Sequence, residues 1–126
     1  MIVVLDTNCI VAGLLSRDGP CAEILDRWRD GQFEVAVSPT LLAELERVLR
    51  YPRIVAKYRI ALDLAQAAVA EFSNQGVAGN ADSKVVVTRD RHFAEIDPRE
   101  CDVEVLLPED FLRRLRADES GQPHAT

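Results

Sequence analysis

The chain has 126 residues, of which 48% are hydrophobic and 29% charged, and its net charge at pH 7 is -6. This length fits one compact domain with a modest core and excludes a second domain of ordinary size. The negative charge excludes binding of nucleic acid through a broad basic surface, so a polyanion must be held locally.

The apolar runs are too short for a membrane helix or a signal-peptide core, so we expect a cytoplasmic protein without a membrane partner. Three cysteines, Cys9, Cys21 and Cys101, are widely spaced and form neither a CxxC motif nor a Cys/His ligand pattern. This pattern predicts reduced thiols in the core and neither a disulfide framework nor a zinc site.

Apolar runs of strand length alternate with stretches of helical periodicity. In chain order, the predicted elements are a strand at 2–5, a helix at 20–30, a strand at 33–37, helices at 41–51 and 60–72, strands at 85–88 and 103–107, and a helix at 108–117. Residues 73–84 predict a loop, in which Val77 and Ala78 could form one helical turn. Residues 118–126 predict a disordered tail after a domain of residues 1–117.

Strands that alternate with helices form βαβ units, which give a parallel sheet with helices packed on both faces. We therefore expect an α/β sandwich. Trp28, on the apolar stripe of the first predicted helix, is expected to anchor the core.

Polar side chains follow three of the predicted strands. They are Asp6, Thr7 and Asn8 after the first strand, Ser38 after the second, and Thr88 and Asp90 at the end of the third. Because the carboxyl ends of parallel strands border the ligand crevice of such a sheet, we expect these groups to converge. Ser38 or Thr40 can also cap the helix that follows.

A further carboxylate comes from the helix at 41–51. Glu44 and Glu46 lie on opposite borders of its apolar stripe, so periodicity alone does not choose between them. Glu44 lies nearer to the crevice along the helix axis. Carboxylates that crowd together repel one another unless a cation neutralises them, and oxygen ligands suit Mg²⁺ or Mn²⁺.

A metal ion of this kind can activate water and stabilise the charge that develops on a phosphodiester during in-line attack. Arg89, Arg91 and Arg17 are then candidates to bind neighbouring phosphates, since guanidinium groups pair well with phosphate oxygens. A phosphohydrolase with Asp6 as covalent nucleophile is disfavoured, because Asn8 replaces the second aspartate of a D-x-D motif.

The blocks VVLDTN, SPTLLAELERVL, NADSKVVVTRDRHF and VEVLLPEDFL, in this order, resemble the PIN-domain family, in particular its bacterial toxin-like branch. The resemblance covers residues 1 to about 116. It implies a Rossmann-like three-layer α/β/α sandwich with a central, mainly parallel sheet. It also implies a Mg²⁺- or Mn²⁺-dependent endoribonuclease that cleaves RNA, frequent homodimerisation and often a cognate antitoxin.

Carried over residue by residue, the resemblance assigns Asp6, Glu44 and Asp90 as metal ligands and so chooses Glu44 over Glu46. Asn8 and Thr88 correspond to residues that orient these acids. All five are therefore predicted catalytic residues.

The chain departs from the family pattern between its middle helix and its third predicted strand, where it is shortened and lacks a further acid. Asp82 is the candidate for a substitute carboxylate. The missing acid keeps an alternative open, a degenerate PIN-like module without nuclease activity that binds a protein partner or RNA.

Overall fold

The computed structural model describes residues 1–58, 61–78, 85–90 and 104–121. In chain order, the described elements are β1 (Ile2–Leu5), α1 (Thr7–Leu15), α2 (Pro20–Arg29), β2 (Glu34–Val37), α3 (Pro39–Leu49), α4 (Pro52–Lys57), α5 (Ala61–Gln75), β3 (Val77–Ala78), β4 (Val85–Val87), β5 (Glu104–Leu106) and α6 (Pro108–Gly121). The predicted alternation of strands and helices is confirmed.

The five described strands form one sheet in the order β3-β2-β1-β4-β5, and all neighbouring strands are parallel. Helices flank this sheet, so the expected Rossmann-like α/β sandwich is confirmed. β1 lies between β2 and β4, and its Val3 and Leu5 side chains are fully buried. A central strand of a parallel sheet is covered on both faces, which explains its apolar sequence.

The core joins the sheet to the helices through aromatic contacts. Trp28 of α2 stacks on Phe72 of α5 with ring centroids 4.4 Å apart, so its predicted role as a core anchor is confirmed. Phe33 meets Phe111 of α6 edge to face at 5.1 Å. Such pairs contribute roughly 0.5–1.5 kcal/mol beyond the burial of their surface.

Local sequence signals start two of the helices. Pro20 and Pro39 occupy the first position of α2 and α3, where the missing N–H of proline costs no hydrogen bond. The Ser38 hydroxyl accepts a hydrogen bond of 3.1 Å from the backbone N–H of Leu41. Ser38 therefore caps α3, which confirms one of the two predicted alternatives.

The structure differs from the sequence expectations at three internal segments. Thr7–Leu15 forms α1, a helix that was not among the predicted elements. Val77 and Ala78 form β3, which pairs with β2, so both the predicted loop and the alternative helical turn are wrong there. A strand of two residues has too little periodicity to be recognised without its partner. Residues 52–57 form α4, an additional helix: Pro52 lies two residues after Arg50, the C-cap of α3, and is the first residue of the next helix.

The ends of two helices also differ from expectation. α5 continues to Gln75, beyond the predicted end at Phe72. α6 continues to Gly121, so residues 118–121 are helical and the tail predicted to begin at residue 118 is wrong there. Residues 122–126 lie outside the described part. The shortening relative to the family stays a prediction.

Among the helices in the described ranges, none combines the length and the hydrophobicity that a membrane-spanning segment requires.

Candidate active site

A hydrogen bond between side chains links the ends of β1 and β4. The register pairs Leu5 with Val87, so the next residues, Asp6 and Thr88, lie side by side. The Thr88 hydroxyl donates to Oδ2 of Asp6 at 2.9 Å, and the Asp6 N–H donates to the Val87 carbonyl, also at 2.9 Å. Thr88 is only 2% exposed, which fixes its hydroxyl within the protein. The predicted convergence of these two residues is therefore observed.

This contact lies where the order of the strands reverses. From β1 the chain proceeds to β2 and β3 on one side of the sheet, and β4 and β5 lie on the other side. In parallel sheets, such a switch point opens a crevice beyond the carboxyl ends of the two adjacent strands. Asp6 and Thr88 follow those two strands, so they lie at the position where ligands bind in this class of fold.

The carboxylate of Asp6 is not used to cap a helix. Asp6 is the residue before α1, and its backbone carbonyl accepts hydrogen bonds from Cys9 and Ile10 N–H. Its side chain, however, makes no capping hydrogen bond. Thr88 holds one carboxylate oxygen, and no donor in the described ranges reaches the other. That second oxygen can serve as a ligand.

Asp90 and Asn8 lie next to this pair. The Asp90 N–H donates to the Thr88 hydroxyl oxygen at 3.1 Å, so one threonine contacts both acidic residues. Asp90 and Asn8 are exposed and line a common cavity of about 740 Å³. The structure therefore links Asp6, Thr88 and Asp90 by hydrogen bonds, and Asn8 lines the same cavity as Asp90.

The wall of the same cavity carries positive charge. Arg53 and Lys57 of α4 line it, together with Arg89. The Lys57 ammonium lies 5.4 Å from the ring centroid of Tyr58, another residue of the wall. Arg53 and Lys57 were missed from the sequence. The available signal was their spacing of four residues after Pro52, which puts two cations on one helix face.

Glu44 faces a different cavity. It is exposed and lines a groove with Thr40 and Arg47, away from the residues that surround Asp90. Glu46, its rival in the sequence, forms an ion pair with Arg50 at 3.2 Å. Glu44 has no ion pair with any described residue, so it is the glutamate of the two whose carboxylate is available for a ligand.

Within the ranges that the structure describes, no three His, Cys, Asp or Glu side chains approach closely enough to bind one metal ion. Glu44 is accordingly not gathered with Asp6 and Asp90 in this conformation. Asp82 lies outside the described residues. The assignment of metal ligands stays a prediction.

The three arginines predicted to bind phosphate have different positions. Arg89 lines the cavity of Asp90. Arg17 lines a separate cavity of about 320 Å³ with Asp26 and Arg29. Arg91 lies outside the described residues.

The donor atoms at the strand ends fit a hard divalent cation. Asp6 and Asp90 supply carboxylate oxygens, and neither of these residues offers a thiol or an imidazole. Oxygen ligands of this kind suit Mg²⁺ and Mn²⁺, which keep several bound waters and need few protein ligands.

Residues 2–96 match the PIN domain family. Because the match covers most of the chain, the protein belongs to the PIN-domain family, and this membership indicates a nuclease-type function. Neither the comparison with curated proteins nor that with solved structures gave a match.

Proposed function

We propose that this PIN-domain protein is a metal-dependent endoribonuclease that hydrolyses phosphodiester bonds of single-stranded or structured RNA. The observation that carries the proposal is the contact of buried Thr88 with both Asp6 and Asp90 at the switch point of the sheet. Thr88 thus orients the carboxylate of Asp6 and, through the backbone N–H, fixes the position of the chain at Asp90.

Asp6, Glu44 and Asp90 are the proposed ligands of Mg²⁺ or Mn²⁺, with Asn8 and Thr88 orienting them. When bound, such an ion supplies an activated water and stabilises the charge that develops on the phosphodiester. Thr88 keeps Oδ2 of Asp6 turned toward itself, so the other oxygen faces away from the Thr88 hydroxyl. Glu44 lines a different cavity in this conformation, so its exposed side chain must move toward Asp6 and Asp90 to complete the set.

The substrate backbone is proposed to bind along α4. Arg53, Lys57 and Arg89 line the cavity of Asp90, which gives a local cluster of cations on a chain whose net charge is -6. Phosphates bound there release counterions and bring the scissile bond next to the acids. Local binding of this kind is what we expect of an acidic protein that holds a polyanion.

We further propose that the protein is the cytoplasmic toxin of a toxin–antitoxin pair and that it forms a homodimer. The support is the resemblance of its sequence blocks to the bacterial toxin-like branch. Induced expression in a bacterial host should arrest growth, and Asp6→Asn should not. Light scattering of the purified chain should give twice the monomer mass. A monomer, or equal growth with both forms, would contradict the respective proposal.

Calorimetric titration with Mn²⁺ tests the metal site. The native chain should release or absorb heat, and Asp6→Asn, which keeps an oxygen to accept from Thr88, should bind much more weakly. Glu44→Gln and Glu46→Gln form a matched pair on one helix. Only Glu44→Gln should weaken binding, because the Glu46 carboxylate is paired with Arg50. Equal effects of the two variants would remove Glu44 from the ligand set.

A cleavage assay on single-stranded RNA tests catalysis. Cleavage should require Mn²⁺ or Mg²⁺, stop with EDTA and fail in Asp6→Asn. One observation favours a second candidate, the binding module without activity: Glu44 lines a cavity different from that of Asp90. RNA binding without metal binding and without cleavage would establish that candidate and overturn the nuclease.

A further inference from the structure

The interface between α1 and α2 contains two thiols that the proposed nuclease chemistry does not use. Cys9 of α1 and Cys21 of α2 are free and buried, and their sulfur atoms are 3.3 Å apart. The Cys9 thiol donates the hydrogen bond between them. This separation exceeds the length of a disulfide bond by only about 1.3 Å. A small approach of the two side chains is therefore enough to join them covalently.

The close packing of the two helix backbones keeps the sulfurs near each other. Gly13 lies one turn after Cys9, and a Cβ atom at Gly13 would be 2.7 Å from the Cys21 carbonyl oxygen. Only a residue without a side chain permits such an approach. The close approach of the α1 and α2 backbones therefore helps to bring the two cysteines together.

Cys21 is the thiol that solvent reaches. It is 6% exposed and lines a cavity of about 620 Å³ beside Arg89 and Glu109, whereas Cys9 is 1% exposed. The hydrogen bond from Cys9 lowers the pKa of Cys21, and the positive charge of Arg89 lowers it further. Burial and the negative charge of Glu109 act in the opposite direction but do not cancel this effect. The bond to Cys21, and then burial, raise the pKa of Cys9. Cys21 is therefore the better nucleophile of the two.

We propose that Cys9 and Cys21 form an oxidation site for hydroperoxides, in which Cys21 reacts first and Cys9 then closes a disulfide between α1 and α2. This proposal does not rest on the proposed nuclease function, although Arg89 lines both cavities. It also goes beyond the expectation of reduced core thiols.

The oxidation proceeds in two steps, sulfenic acid formation and disulfide formation, and atoms and electrons balance in each. The Cys21 thiolate attacks one oxygen of hydrogen peroxide; an S–O bond forms, the O–O bond breaks, and the departing hydroxide takes up a proton to become water. The sulfur is oxidised to sulfenic acid and the peroxide is reduced. The Cys9 sulfur then attacks the Cys21 sulfur, the S–O bond breaks, and a second water leaves with the Cys9 proton.

Peptide mapping after treatment of the full chain with hydrogen peroxide tests the proposal. Cleavage after Arg17 and Arg27 separates Cys9 from Cys21, so the disulfide should join the peptides of residues 1–17 and 18–27. The joined species should disappear on reduction. A product in which Cys101 is bonded to either cysteine, with no joined peptides of this kind, would overturn the proposal.

Three single-residue variants test which cysteine reacts in each step. Cys101→Ser should form the disulfide as readily as the native chain. Cys9→Ser should stop at a sulfenic acid on Cys21, which dimedone traps, and Cys21→Ser should leave Cys9 unmodified at the same peroxide concentration. Far-UV circular dichroism checks that each variant is folded. Modification of Cys9 in Cys21→Ser at the native rate would contradict the order of reaction.

Discussion

The Thr88 hydroxyl donates a hydrogen bond of 2.9 Å to Oδ2 of Asp6, although 82 positions of sequence separate the two residues. The Thr88 hydroxyl oxygen itself accepts a hydrogen bond of 3.1 Å from the backbone N–H of Asp90. One buried threonine thus sets the orientation of the acid after β1 and the position of the chain at the acid after β4. The geometry of the proposed metal site depends on this single side chain.

Replacement of Thr88 by valine keeps the shape of the side chain and removes the hydroxyl. We expect Mn²⁺ affinity and RNA cleavage to fall by about 10–100-fold, as is typical when a residue that orients a metal ligand is lost. Thr88→Ser, which retains the hydroxyl, should preserve most of both. Calorimetry and initial rates of cleavage measure the two quantities. Equal behaviour of the valine and serine variants would show that the hydroxyl has no orienting role.

Removal of the two cations of α4 should weaken RNA binding without changing the chemistry. We expect Arg53→Gln combined with Lys57→Gln to raise KM, to leave kcat nearly unchanged, and to reduce the salt slope of binding by about two. Arg17→Gln is the matched control, because Arg17 lines a separate cavity. A larger effect of Arg17→Gln would show that the RNA phosphates bind in the cavity of Arg17 and not along α4.

A methyl group at Gly13 should push α1 and α2 apart. The added Cβ would meet the Cys21 carbonyl oxygen and Cδ1 of Leu25, both at 2.7 Å. We expect Gly13→Ala to lower the free energy of unfolding by about 1–3 kcal/mol, although alanine favours helices. Ala12→Gly exchanges the same residue types one position earlier and should cost about 1 kcal/mol. A Gly13→Ala chain more stable than the native one in urea would contradict the close packing.

The ring stack of Trp28 and Phe72 should contribute strongly to stability. Phe72 is fully buried, so we expect Phe72→Ala to lower the free energy of unfolding by about 3–5 kcal/mol. Tyr51, which is 43% exposed, gives the control. Tyr51→Ala should change the free energy of unfolding by less than about 1 kcal/mol. Urea unfolding followed by circular dichroism measures both values. Similar losses in the two variants would mean that Phe72 is not an anchor of the core.

Stability should decrease in acid partly through Glu104 of β5. The hydrogen bond from Arg114 lowers the pKa of Glu104 from 4.5, against a smaller effect of burial. A carboxyl whose pKa is lower in the folded state stabilises the protein above pH 4.5, and this contribution disappears as the pH falls through the lowered value. Glu104→Gln should therefore be less stable than the native chain at neutral pH and equally stable in strong acid.

Glu34 provides the control for this substitution, since it is an exposed strand glutamate without an ion pair in the described ranges. Glu34→Gln should change the urea midpoint at neutral pH by less than Glu104→Gln does. Urea midpoints measured from neutral pH to below pH 4 compare the three proteins. A constant difference between Glu104→Gln and the native chain over this range would exclude the predicted linkage.

Much of the fold was predictable because its signals are local. The apolar run of β1, the prolines that begin α2 and α3, and the Ser38 cap each act within a few residues. β3 was not predictable, because Val77 and Ala78 are a strand only through their pairing with β2. Its two residues have no pattern of their own.

The residues of the candidate site also fall into those that the sequence predicted and those that it did not. Asp6, Thr88 and Asp90 were recognised from the sequence, because each follows an apolar strand and parallel strands end at one edge of the sheet. Arg53 and Lys57 were missed, because their proximity to Asp90 depends on the path of the chain after Pro52. The cavity that Glu44 lines was not predictable either, because it depends on how α3 packs.

The sequence by itself determined the class of fold and the acids that end its strands, because hydrophobic periodicity and strand ends are properties of short segments. Only the tertiary structure decided which of these groups meet: Thr88 with Asp6, the cations of α4 with Asp90, and Cys9 with Cys21. These contacts join residues far apart in the chain. They depend on the order of the strands and the packing of the helices, which no local pattern specifies.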